Sequence, residues 1–177
     1  RAKMLERLSL YDDVLLEKLL DESEPTPEEI KAAIRKATLT NEIVPVFCGS
    51  AFKNKGVQPL LDGVVHYLPS PVDLPPVKGV HPHTKKTVER KPTTDEPLCA
   101  LVFKVATDPF AGQLSFIRVY SGDIESGKAG YNPRKGKMER IGQIVRMHAN
   151  KREDLTVLEA GDIGALVGAN LITGDTL

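Results

Sequence analysis

Tryptophan is absent and aromatic residues make up only 5% of the 177 positions. A core must therefore be built mainly from aliphatic side chains. There are two cysteines, Cys48 and Cys99. That is too few for a disulfide scaffold, and their separation excludes a Cys-x-x-Cys zinc pair. Neither sign of charge prevails, because Lys plus Arg and Asp plus Glu each number 24. No global basic field therefore points to nucleic acid. No apolar run approaches the roughly 18–20 residues that cross a bilayer. Four enzyme signatures are missing: Gly-x-x-x-x-Gly-Lys-[Ser/Thr], Gly-x-Gly-x-x-Gly, His-Glu-x-x-His and Gly-x-Ser-x-Gly. What remains, 41% apolar and 27% charged, is the mixture of an ordinary globular chain of one domain or two small ones.

The chain opens Arg1-Ala2-Lys3-Met4 and runs directly into a charged amphipathic segment, with no signal-peptide pattern. The expectation is a reducing cytoplasmic compartment; an organelle matrix would look the same. Residues 3 to about 22 have a helical period, with Leu5, Leu8, Val14, Leu15 and Leu19 near one face. Thr26-Pro27-Glu28-Glu29 then reads as a capping box with proline at the first helical position. It opens a second helix whose stripe is Ile30, Ala33, Ile34 and Ala37.

Ile43 to Cys48 is a β-branched run, expected as a strand, and Pro45 places it at a sheet edge. Gly49-Ser50-Ala51 turns the chain into Val57, Leu60, Leu61, Val64, Val65 and Leu68, a regular helical stripe. Strand, loop and helix together predict one unit of an α/β sheet. Seven of the thirteen prolines fall in residues 69–97, so 72–95 is expected to be a proline-rich linker. From Leu98 the pattern becomes β. Strands are expected at Leu98–Val105, Leu114–Tyr120, Met138–Met147, Leu155–Leu158 and Ile163–Val167, divided by Gly and Asp turns and with no helix between. That argues a small β-barrel over 96–177.

Two regions carry candidate chemistry. The loop Gly49 to Gly56 follows the expected strand and precedes a helix, where ligands of open α/β sheets bind. Its small residues let backbone N–H groups approach a flat acceptor. Residues 134–152 hold Arg134, Lys135, Lys137, Arg140, Arg146, Lys151 and Arg152 against Glu139 alone, the composition of a phosphate-contacting surface. His81-x-His83 has strand spacing for a metal but lies in the proline-rich stretch with no Cys partner nearby, so no metal is expected. Cys48 and Cys99 sit in apolar runs and are expected as buried thiols.

Phe47-Cys48-Gly49-Ser50-Ala51-Phe52-Lys53-Asn54-Lys55-Gly56-Val57-Gln58 and Tyr67-Leu68-Pro69-Ser70-Pro71 closely resemble the end of the GTP-binding domain of the elongation factor G family. Phe103-Lys104, Asp108-Pro109-Phe110, Phe116-Ile117-Arg118-Val119-Tyr120-Ser121-Gly122, Arg146-Met147-His148-Ala149-Asn150, Ala160-Gly161-Asp162 and Thr173-Gly174-Asp175-Thr176-Leu177 resemble its second domain. The resemblance runs in order along nearly the whole chain and is weakest at about 78–95. It implies a fragment of a ribosome-dependent GTPase that moves tRNA and mRNA. Residues 1–71 would be the C-terminal part of a P-loop GTPase domain with elements of its helical insert. Residues 96–177 would be a translation-factor-type β-barrel, truncated.

The resemblance also implies roles. Gly49, Ser50 and Ala51 match the last guanine-recognition loop, whose backbone N–H meets the guanine O6, and Lys53 would pack over the base. A backbone donor there favours guanine over adenine, which carries an amino group at that position. Asn54-Lys55 is not the Asn-Lys-x-Asp motif, because position 57 is Val. The parent would use GTP or GDP with Mg2+. This segment, without phosphate loop, switch regions or Asn-Lys-x-Asp, is expected to bind neither tightly and to be inactive alone. Small-subunit rRNA is the expected partner of Arg134, Lys135, Lys137, Arg140, Lys151 and Arg152. The other expected partners are the remainder of the GTP-binding domain and the downstream domains, with no membrane and no DNA. The first residue lies within a helical pattern and the last where a strand begins, so an internal piece of a longer chain is expected. The alternatives are a standalone RNA- or protein-binding barrel, a related ribosomal-protection or release-factor GTPase, or an enzyme with its site in the 49–56 loop.

Overall fold

The computed structural model describes residues 1–109, 111–149 and 151–177. Two positions of the motifs above, Phe110 and Asn150, lie outside the described residues. The chain divides into two units, Arg1–Ser70 and Pro71–Leu177.

The first unit holds four helices: α1 (Ala2–Leu8), α2 (Asp13–Leu20), α3 (Pro27–Leu39) and α4 (Val57–Tyr67). The single helix expected over 3–22 is thus two. Asp12 is the reason: its carboxylate accepts from the Leu15 N–H at 3.1 Å, which starts a new helix rather than continuing the old one. The register of the stripe changes with it. Leu5, Leu8 and Leu15 are buried with Ile30 and Ala33, while Val14 is 54% exposed. The capping box forms as read. Glu29 N–H donates to Thr26 Oγ1 at 3.3 Å and Thr26 N–H to Glu29 Oε2 at 2.9 Å. Lys18 Nζ lies 2.6 Å from Glu29 Oε1 and, with the Thr26 N–H, holds that carboxyl below its ordinary value.

Ile43 to Cys48 corrects the sequence reading. The segment forms no strand, and Val44 and Val46 are 83% and 86% exposed. A strand exists only by pairing, and among the described residues the first unit has no second strand to pair with it; its one ladder contact is the isolated bridge Ser50↔Lys55. The α/β unit is therefore a loop and helix without a sheet. The stripe of α4 is helical as read, but Leu60, Leu61, Val64, Val65 and Leu68 are exposed, and only Gly63 of this helix is buried.

The second unit is all antiparallel. A turn of 3-10 helix at Pro71–Asp73 precedes a hairpin of β1 (Val77–Val80) and β2 (Thr87–Arg90). The stretch expected as linker thus contains paired strands, with its prolines at and beyond their ends rather than within them. Then come β3 (Cys99–Asp108), β4 (Gly112–Ser121), β5 (Asp123–Glu125), β6 (Ala129–Asn132), β7 (Lys137–Arg140), β8 (Ile144–His148), β9 (Lys151–Leu155), β10 (Val157–Glu159) and β11 (Ile163–Val167). The main sheet has the order β3-β4-β11-β8-β9, and β5 pairs β10 while β6 pairs β7. Ala100, Val102, Ile117, Val119, Ile144, Leu158 and Leu166 fill one aliphatic core with Ile124, Ile141, Leu171 and Leu177.

Met138 to Met147, expected as one strand, breaks between β7 and β8. Ile141 leaves the ladder to accept from the Gly127 N–H and donate to the Lys128 carbonyl, at 2.9 and 2.8 Å. Gly122, at φ +68°, is required where it stands: a Cβ would meet the Glu96 carbonyl and the Leu98 nitrogen at 2.7 Å. The last residues pair with β3. Ala100 and Leu177 exchange N–H and carbonyl bonds at 2.9 Å, and Val102 donates to Asp175 and accepts from Gly174 at 2.8 Å. Among the described residues no helix is long and apolar enough to cross a membrane.

Candidate functional site

The loop from Gly49 to Gly56 closes on itself. Ser50 N–H donates to the Lys55 carbonyl at 2.9 Å and Lys55 N–H returns to the Ser50 carbonyl at 3.0 Å. Inside this ring Asn54 N–H reaches the Ala51 carbonyl at 3.0 Å, and Lys53 N–H approaches Ser50 Oγ at 3.4 Å. Gly56, at φ +77°, starts α4, and a Cβ on it would lie 2.9 Å from the Cys48 carbonyl and 3.1 Å from Gly49 Cα. The two glycines thus let the entering and leaving chains touch, and the tip projects. Ala51, Phe52 and Lys53 are exposed there, Phe52 fully so. Among the described residues the Ala51 and Phe52 N–H groups donate to no partner. Phe47, Cys48 and Leu60 join the loop in lining a cavity of about 240 Å³. Chemically this is a hydrogen-bonded tip with unspent backbone donors beside a small apolar hollow, suited to a flat ring bearing a carbonyl.

The basic positions fall into two classes. Arg134 and Lys135 occupy the turn between β6 and β7 and are each tied to a carboxylate. Arg134 Nε and Nη2 both donate to Asp175, the latter at 2.9 Å. Asp175 is 1% exposed and also accepts from Asn132 Nδ2 at 3.2 Å and Ile172 N–H at 3.1 Å. The Arg134 guanidinium, against the cost of burial, holds the Asp175 carboxyl far below the usual range. Lys135 Nζ donates to the Asn170 carbonyl and lies 2.7 Å from Glu139 Oε1, lowering the Glu139 pKa. Arg152 points at Asp108, 3.4 Å away, and Arg146 lies 4.0 Å from Asp162. Lys137, Arg140 and Lys151 are exposed, and Lys137 keeps only a long ion pair to Glu139, at 3.9 Å. A charge closely paired with a carboxylate has little left to offer a phosphate, so these three, exposed and without a close carboxylate among the described residues, are the solvated cations of the set.

The remaining sequence candidates are dispersed. Cys48 is exposed rather than buried, because the strand meant to enclose it does not form. Cys99 is half-buried, and burial pushes its thiol pKa up, against the pull of Arg90. The His81 and His83 rings stand 6.0 Å apart, His83 packs 5.5 Å from Tyr131, and His81 Nδ1 accepts from Thr84 N–H. Among the described residues no three side chains of the metal-binding types cluster. Asp175 and Asn132 were the residues that sequence reading passed over as partners. Their one signal was the buried-strand context of a lone carboxylate, which becomes visible only when 174–177 is seen beside β3.

Comparison with known proteins adds two findings. A crystal structure of a protein from Thermus thermophilus superposes with a TM-score of 0.70 at 28% sequence identity, over 99% of this chain. This chain spans 24% of that one. A family model described as elongation factor G domain 2 matches residues 97–177. Within the second unit, Pro97 to Leu177 is thus similar to domain 2 of elongation factor G, the domain of a translation elongation factor.

Proposed function

We propose that this chain is a segment of a GTP-dependent ribosomal translocase of the elongation factor G kind, contributing a guanine contact and a ribosome-docking barrel. The observation that carries the reading is the match of residues 97–177 to elongation factor G domain 2. Gly49, Ser50 and Ala51 stand in a loop whose tip keeps free N–H donors beside a hollow, the arrangement a guanine carbonyl requires, with Lys53 at its rim. The exposed stripe of α4 and the unpaired Ile43–Cys48 segment fit a role as the last helix and last strand of a GTP-binding domain whose other strands belong to the parent. The partners of this reading are the rest of that domain, the downstream domains and small-subunit rRNA. Its compartment is the cytoplasm.

Within the basic set, Lys137, Arg140 and Lys151 face the rRNA in this proposal, and Arg134, Lys135 and Arg152 support them from paired positions. The test is sedimentation of the 177-residue chain with small ribosomal subunits across a salt series. Salt-sensitive binding that weakens when Lys137, Arg140 and Lys151 are changed to Glu supports the reading. Binding that is absent at low salt, or unmoved by the triple change, overturns it. GTP and GDP with Mg2+ belong to the parent. The sequence of this chain carries no phosphate loop, so calorimetry should find no micromolar GTP binding to it.

A further inference from the structure

A cleft of about 350 Å³ lies in the second unit between the segment from Pro71 to Val77 and one face of β4. Ile117 and Val119 point into the core, so alternation along the strand turns Arg118 and Tyr120 to the opposite face, where they line this cleft. Leu74, Pro75, Pro76 and Pro92 supply apolar walls. Among the described residues the only charged side chains on the lining are Arg118 and Arg90, and no Asp or Glu joins them. Arg90 keeps a stretched ion pair to Glu96 at 3.7 Å. Arg118 lies over the Tyr120 ring, 5.2 Å from its centroid. Its Nε is shut off from solvent with no hydrogen-bond partner, and among the described residues its guanidinium makes no ion pair.

A guanidinium with no carboxylate beside it in the cleft leaves its charge and its outer N–H groups to an incoming anionic acceptor. The cavity volume falls in the range of small-molecule sites, and such sites pair apolar walls with a few converging polar groups. Proline and tyrosine rings offer flat faces against which another ring packs. We propose that this cleft binds a small, flat, apolar molecule bearing one carboxylate, with Arg118 receiving the carboxylate, Arg90 adding a second positive charge and the proline walls holding the ring. The cleft binds such a molecule whether or not the chain docks on a ribosome.

The probe is 2-naphthoate, titrated into the full 177-residue chain and followed by backbone amide NMR. Saturable shifts should centre on Leu74, Val77, Tyr120 and Gly161. The neutral amide, 2-naphthamide, should bind about tenfold more weakly or worse, and Arg118→Gln should weaken naphthoate by a similar factor. Lys137→Gln, on a separate ribbon, should change nothing. Should Arg118→Gln lose its dispersed spectrum, the acid-against-amide comparison on the unsubstituted chain still decides. Shifts that do not saturate, that centre on the exposed face of α4, or that are equal for acid and amide would overturn the proposal.

Discussion

Arg134 and Asp175, 41 positions apart, are joined by two parallel hydrogen bonds, with the carboxylate buried and the guanidinium half in solvent. The pair ties the β6–β7 turn to the final residues of the chain, which themselves ladder onto β3. Asn132 and the Ile172 N–H complete the carboxylate's shell, so Asp175 is the hub and the other three converge on it.

Replacing Asp175 by Ala should therefore cost the second unit about 2–4 kcal/mol, since it orphans several donors at once in a buried place. Arg134→Ala should destabilise in the same direction, but its partner then keeps two neutral donors. Urea denaturation followed by far-UV circular dichroism measures both. A wild-type midpoint for Asp175→Ala would show the hub to be inert.

Stability should fall on acidification, and Asp175 should account for part of it. Its folded pKa lies below the unfolded carboxylate value of about 3.9. Its contribution is thus complete above that unfolded value and is lost as pH falls from there toward the folded one. Glu29, Glu125 and Glu139, each lowered by a neighbouring lysine, act with the same sign. Urea midpoints measured between about pH 6 and about pH 2 should drop less steeply for Asp175→Asn than for the unsubstituted chain.

Gly56→Ala should distort the 49–56 loop. The new Cβ would meet the Cys48 carbonyl at 2.9 Å, and the residue would be left-handed at φ +77°, which costs an L-residue about 1–2 kcal/mol. Amide shifts of Gly49 through Lys55 should move together while those of β3 and β4 stay put.

Lys substitutions at Val44 and Val46 should leave stability within about 0.5 kcal/mol, because neither side chain is packed. They should also raise the concentration at which the chain stays monodisperse, since an unpaired, exposed apolar segment is a template for association. Light scattering across a concentration series reads this directly.

Reversing charge at Lys137, Arg140 and Lys151 should leave the urea midpoint unchanged, whereas reversing it at Arg134 and Lys135 should lower it. The first three are exposed; the other two are bonded to Asp175, Glu139 and the Asn170 carbonyl. Equal stability for the two multiple variants would erase the distinction between solvated and structural cations.

Much of this molecule was legible along the chain. The Thr26–Glu29 box formed because both of its partners lie within one turn. The helical stripe of α4 and the alternating strand around Ile117 followed from side-chain period alone. Turn residues and caps are local, so one dimension suffices to read them. The strand expected at Ile43–Cys48 and the burial of Cys48 were not legible, because pairing and burial depend on a neighbour that no local pattern supplies. The basic segment shows the same limit. Its composition placed seven cations in one stretch, but only the fold, by bringing Asp175 and Glu139 beside Arg134 and Lys135, decided which of them are spent on holding the structure and which remain for solvent or a partner. Period and propensity act between near neighbours in sequence; electrostatic pairing and desolvation act between neighbours in space, and the chain must fold before those exist.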